Sequence, residues 1–162
     1  MEILFAAAFV AYGWLAITDC VRRRLPNKWV LFIVFLYFAF SYLAGMPPEQ
    51  VLKHIYVAVG TLAILSLLFS FGWIGGGDVK LWTAVMLWSG PSLAMSTLLS
   101  ISISGALVAL VSVVCKIIRQ HLPGTRKSAV LGMLSIDRGV PYGVALSFGG
   151  ILVLLNLYGK HV

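Results

Sequence analysis

Five acidic residues, Glu2, Asp19, Glu49, Asp78 and Asp137, stand in a chain of 162 residues that is 60% hydrophobic. Two of them abut apolar runs of membrane grade: Asp19 closes one in "AITDCVRRRLPN" and Asp78 opens another in "GWIGGGDVKLW". An ionisable residue at a membrane span is a functional-site hypothesis by default. Two carboxylates at one site cannot both ionise easily, so they share a proton; one then acts as base on a water while the other donates to a carbonyl. That chemistry needs no metal and no cofactor. Gly75, Gly76 and Gly77 would let the backbone approach a substrate strand with no side chains in the way. Structural roles compete with this reading. Asp78 could cap its helix in the positive field of the dipole. Asp19 sits where the dipole disfavours an anion, although Arg22, Arg23 and Arg24 could offset its charge.

The elements that must position these residues are helices in a membrane. A soluble domain is about 45–50% apolar and roughly 25% charged, whereas this chain has only 10% charged residues. Its apolar runs are continuous rather than alternating, which selects helices over a barrel. A span takes about 20 apolar residues. On that basis the runs Ile3–Thr18, Trp29–Ala44, Leu52–Ile74, Val79–Ser89, Ser92–Ile118 and Tyr142–Tyr158 predict an all-α polytopic membrane protein of six transmembrane helices. "WSGPS", Trp88 to Ser92, is the natural break in the longest run, because proline suits a helix's first turn. One membrane domain over residues 1–162 is expected. The N-terminal run has no basic region before it and reads as a retained span rather than a signal peptide.

Charge sets the orientation. Ten of the 12 Lys and Arg residues (Arg22, Arg23, Arg24, Lys28, Lys80, Lys116, Arg119, Arg126, Lys127 and Arg138) fall after spans 1, 3 and 5. Only Lys53 and Lys160 lie opposite. The positive-inside rule puts the ten in the cytoplasm and both termini outside. The end of span 1 and the start of span 4 then share a membrane depth, so a bundle can bring Asp19 beside Asp78 at the cytoplasmic face. The net charge of +7 is explained by this orientation and by attraction to anionic lipid, and no nucleic-acid partner is expected. Cys20 and Cys115 form no CxxC pair. His54 and His161 fall on the outer side and His121 in the basic loop, so no metal is assigned. The glycine stretch lacks the GxxxxGK[ST] pattern of a phosphate loop. Ser100, Ser102, Ser104, Gly105 and Ala106 suit close helix packing.

Three segments carry a family resemblance. "GGGDVK", Gly75 to Lys80, resembles the GxGDxK motif of type IV prepilin peptidases, which are membrane aspartic proteases. "DCVRRRLPN", Asp19 to Asn27, is similar to that family's first motif, and "VPYGVALSFGG", Val140 to Gly150, to its third. Leu25 and Val140 replace the commoner isoleucine. The resemblance implies a cytoplasm-facing peptidase with Asp19 and Asp78 as the catalytic pair. It implies a prepilin or pseudopilin substrate, cut after a glycine just before an apolar helix, to remove a short basic leader. The large members of the family carry paired CxxC motifs and methylate the new N-terminus; this chain looks like the minimal TadV/CpaA type associated with Flp pili, so peptidase activity without methyltransferase activity is expected.

The remaining motif residues read as site-shaping. Pro26 and Asn27 would turn the chain into span 2. Lys80 could act on a carboxylate, pair with lipid phosphate or simply snorkel. Pro141, Tyr142 and Gly143 would shape the start of span 6, though Tyr142 could equally be an aromatic-belt anchor. A small transporter with aspartates along an ion or proton path is the alternative function, and a non-catalytic scaffold a third. Both aspartates at one face argue against transport, whose sites lie near the midplane.

Overall fold

In lipid every backbone polar group must be satisfied within the segment, and continuous apolar sequence therefore folds as helix. A computed structural model describes residues 1–121 and 140–161 of the chain. Among the described residues five helices follow in order: α1 Glu2–Arg22, α2 Asn27–Leu43, α3 Pro48–Ser70, α4 Gly76–His121 and α5 Tyr142–His161. No strand occurs among the described residues. Among the described residues four helices are long and apolar enough to cross a membrane, namely Glu2–Arg22, Pro48–Ser70, the Gly76–Ile118 stretch and the Tyr142–Gly159 stretch; Asn27–Leu43 is apolar but shorter. The basic loop residues Arg126, Lys127, Asp137 and Arg138 lie outside the described residues.

Helix ends follow local chemistry, and two of them shift the expected spans. Pro26 and Pro47 precede α2 and α3 in extended conformation. The third span, expected over Leu52–Ile74, is instead the helix Pro48–Ser70. Pro48 suits its first position, and Gly72, at φ 74, closes its far end. There Gly72 N–H donates to Phe69 O at 2.9 Å and Trp73 N–H to Leu68 O at 3.1 Å, the paired bonds of a glycine-terminated helix. The first span also runs on, so Asp19 lies inside the last turn of α1 rather than beyond it. Arg23 closes that turn in the left-handed conformation, φ 52, with its N–H on Asp19 O. For a residue with a Cβ that conformation costs roughly 1–2 kcal/mol.

The long α4 breaks where the sequence suggests. Gly90 is non-helical, at φ 56 and ψ −170, and splits the element into arms 76–89 and 91–121. Pro91 has no N–H, so the carbonyl four residues back, Leu87, loses its helical donor. His54 of α3 supplies the replacement: its Nδ1–H lies 2.9 Å from Leu87 O. The buried His54 ring stacks on Tyr37 at 5.6 Å. A Cβ at Gly90 would overlap that ring. Ser89 Oγ lies 2.9 Å from both Val85 O and the Thr97 hydroxyl oxygen, tying one arm to the other. Gly90→Ala therefore combines a backbone region held almost only by glycine with a steric overlap. It is expected to cost at least about 2 kcal/mol, read as a lower melting temperature of the purified protein in detergent.

The first arm of α4 runs through the centre of the bundle. Residues 84–90 are all buried, and Trp88 is the largest fully buried side chain. Its ring stacks on Phe40 at 5.4 Å and meets Tyr37 edge-on at 5.7 Å. Its Nε1–H donates to Ile33 O at 3.1 Å. Around this core the outward side chains are also apolar: Ile3, Val10, Leu31, Phe35, Ile64 and Leu107 are all exposed. A contiguous apolar exterior of this kind is a surface for lipid. α1 packs on α5 as large against small, with Tyr12 against Gly150 and Asp19 against Gly143.

Candidate active site

Asp19 and Asp78 come from different helices, α1 and α4, and are near enough for the charge of one to act on the other. Asp19 is carried on the last turn of α1, fully packed, with only 6% of its surface exposed. The start of α5 covers it: the backbone N–H groups of Gly143 and Val144 face its carboxylate. The approach is close because Gly143 has no side chain. A Cβ there would sit 2.7 Å from Asp19 Cγ and 2.9 Å from its Cβ. Arg23, one helical turn further on, brings its positive charge to bear on the same carboxylate.

Asp78 sits at the third position of α4, not at the N-cap. Gly75 is the residue before the helix, and its carbonyl accepts the first helical bond from Val79 N–H at 3.1 Å. The Asp78 carboxylate reaches back to Gly75 N–H, which is how an acidic third residue satisfies an orphan donor at a helix start. The residue is half-buried, and the charge of Asp19 acts on it directly.

The three glycines divide their roles. A Cβ on Gly75 would lie 2.9 Å from Asp78 Oδ2, so this position keeps the carboxylate's space open. Gly76 is in close contact with Phe69 and Gly77 with Leu25, so the room these two leave is taken up by the chain's own side chains. Lys80 faces away from Asp78; its Nζ donates to Asn27 Oδ1 at 3.1 Å on the exposed side. Lys80 and Asn27 therefore tie the start of α2 to the start of α4. Pro26 is the residue before α2, and Pro141, buried, stands just before α5. Tyr142 is half exposed and lies against Gly105.

Beside Asp78 opens a cavity of about 230 Å³. Ile101 and Leu146, both buried, form its inner wall, while Trp73 and Tyr142 stand exposed at its mouth. Trp82, one turn beyond Asp78 on α4, completes the apolar side. Trp73, Trp82, Ile101 and Leu146 were not singled out by the sequence. The i, i+4 spacing of Asp78 and Trp82 carries a signal for Trp82; Ile101 and Leu146 are indistinguishable from other apolar residues of their helices. Among the described residues no group of three or more His, Cys, Asp or Glu could hold a metal ion.

A bundle of long apolar helices with an apolar exterior is an integral membrane protein. The chain belongs to the type IV leader peptidase family, whose model matches residues 4–110. No curated protein and no solved structure matches it. The matched stretch contains both Asp19 and Asp78 and ends before Pro141–Gly143. Membership makes the chain a peptidase of the membrane, of the family that processes prepilin leaders.

Proposed function

We propose that this chain is an aspartic endopeptidase of the bacterial cytoplasmic membrane that removes the short basic leader from Flp-type prepilin or pseudopilin precursors. The observation that supports the reading is that the charge of Asp19 acts on Asp78 where Asp78 lines a cavity. With one proton between them, the ionised carboxylate takes a proton from water as the water oxygen attacks the scissile carbonyl. The protonated partner donates to the carbonyl oxygen. Collapse of the tetrahedral intermediate returns a proton to the departing amine and resets the pair. Placing the residue before the cut as glycine removes bulk on the leader side of the attacked carbonyl.

In this reading the single domain crosses the bilayer six times, the two arms of α4 counting separately. The segment α2, at 17 residues, is about 25 Å long, short of the roughly 30 Å hydrocarbon layer; local thinning of the bilayer covers the difference. The site opens to the cytoplasm because the lysines and arginines cluster at that end, where they also meet anionic lipid. Ion transport is not favoured, since the family is one of peptidases.

The test is processing by the purified full chain in liposomes, given a prepilin precursor with a basic leader. N-terminal sequencing of the product is expected to read from the residue just after the glycine. Cleavage elsewhere in the precursor would sink the assignment.

A further inference from the structure

A groove runs along the outside of the bundle between α2 and α3. α2 packs on α1 and α4, and α3 packs on α4, so the first arm of α4 forms a floor between them. The groove holds about 240 Å³. Ala84 and Leu87 of α4 and Ala58 of α3 are buried along its bottom, whereas Phe38, Val59 and Leu62 stand exposed at its rims. From Lys80 to Leu87 it follows α4 for about 10 Å. The Thr83 hydroxyl in its wall already donates to Val79 O at 2.8 Å. One end differs: Lys80 is the only charged residue among the described residues that line it. An ammonium has three N–H donors, and Lys80 uses one on Asn27 Oδ1.

We propose that this groove binds one anionic phospholipid, with an acyl chain laid along Ala58, Ala84 and Leu87 and the phosphate at Lys80. Shape and charge select the occupant. It must be apolar over about 10 Å and anionic at one end. A transmembrane helix, of this chain or another, is about 10–12 Å across and does not fit a space of about 240 Å³; an acyl chain does. The polarity also runs the right way. α4 begins at Gly76, so Lys80 lies within about 6 Å of the helix start, at the depth of headgroups, and Leu87 lies towards the bilayer centre. A phosphate there supplies a counter-ion to a lysine held against apolar surface. Because the same Nζ holds Asn27, the headgroup braces the contact between the starts of α2 and α4, two residues beyond Asp78. Lipid binding at this groove goes beyond the peptidase reading and does not depend on it.

The experiment titrates the purified full-length chain in detergent with dioleoyl phosphatidylglycerol or dioleoyl phosphatidylcholine and counts the first bound lipid by native mass spectrometry. Wild type is expected to bind phosphatidylglycerol about fivefold more tightly, the worth of one lysine close to an anionic headgroup. Lys80→Gln keeps a donor for Asn27 but no charge, and is expected to erase the preference. Ala58→Leu fills the floor and is expected to weaken both lipids alike. Location is read separately, with a phosphatidylglycerol carrying a diazirine in its acyl chain, irradiated with the protein in phosphatidylcholine liposomes. Labelling is expected at Phe38, Val59 and Leu62 above that at other exposed apolar residues such as Val10 and Leu107, and is expected to fall there in Ala58→Leu. Arg22→Gln removes an exposed cation five residues before Asn27 and is expected to change neither readout. A wild type without the preference, a Lys80→Gln that keeps it, an Arg22→Gln that loses it equally, or labelling spread evenly over the apolar exterior overturns the site. If Ala58→Leu does not fold, these four results decide.

Discussion

Asp78→Asn is expected to lower leader cleavage by at least about a thousandfold, within the range that positioned acid–base groups contribute, and Asp19→Asn is expected to match it. The amide is nearly the same size as the carboxyl, so packing is kept, but it can neither accept a proton from water nor hold one for the carbonyl. In the proposed mechanism the pair works as a unit, so the double substitution should be little worse than either single one. Stability should move the other way or not at all. Asp19 is buried beneath the start of α5, and a neutral group there avoids the cost of keeping a charge out of water. The combination to be measured is thus a folded enzyme, with an unchanged or higher melting temperature, that no longer cuts. Either variant retaining cleavage within tenfold of wild type would show that the two carboxylates are structural.

How far this site was legible in the sequence depends on what each residue's chemistry reports. The break at Gly90–Pro91 is readable because glycine loosens the backbone and proline suits a helix's first turn, and α4 kinks there. What proline could not report was the repair. Nothing in "VLKHIYV" distinguishes His54 from an interfacial histidine, yet its ring lies buried against the kink and bonds Leu87 O. The third span was displaced for a similar reason. Hydropathy carries through Trp73 and Ile74, but Gly72 ends the helix by its backbone conformation. Asp78 was legible as a helix-start residue, though its place, third in the helix rather than capping it, follows from where Gly75 turns. The sequence suggests that the glycines give clearance for a substrate; their immediate neighbours in the structure are Asp78, Phe69 and Leu25, contacts that only the tertiary fold defines. The walls of the cavity were the least legible. Ile101 and Leu146 are ordinary apolar residues in apolar helices, and only helix packing sets them opposite Asp78.

Gly143→Ala is expected to lower kcat/KM about a hundredfold, the loss that a displacement near 1 Å produces at a reacting group. Local propensity points the opposite way: alanine favours a helix over glycine by roughly 0.5–1 kcal/mol, so a loss cannot come from the backbone of α5. It comes from space. The new methyl would lie 2.7 Å from Asp19 Cγ, 2.8 Å from Oδ2 and 2.9 Å from Cβ. Cβ is fixed to α1, so turning the carboxylate aside does not relieve the overlap, and α1 and α5 must separate locally. Separation draws the Gly143 and Val144 N–H groups away from Asp19 and moves it relative to Asp78. Gly150→Ala provides the contrast. Two turns along the same interface its methyl would overlap the Tyr12 ring, so it wedges the helices apart within the core, at a distance from the carboxylates. Gly150→Ala is expected to lower the melting temperature more than the activity of the fraction that folds, and Gly143→Ala the reverse. A Gly143→Ala enzyme that cuts at the wild-type rate would mean that the start of α5 does not hold Asp19 in its working position.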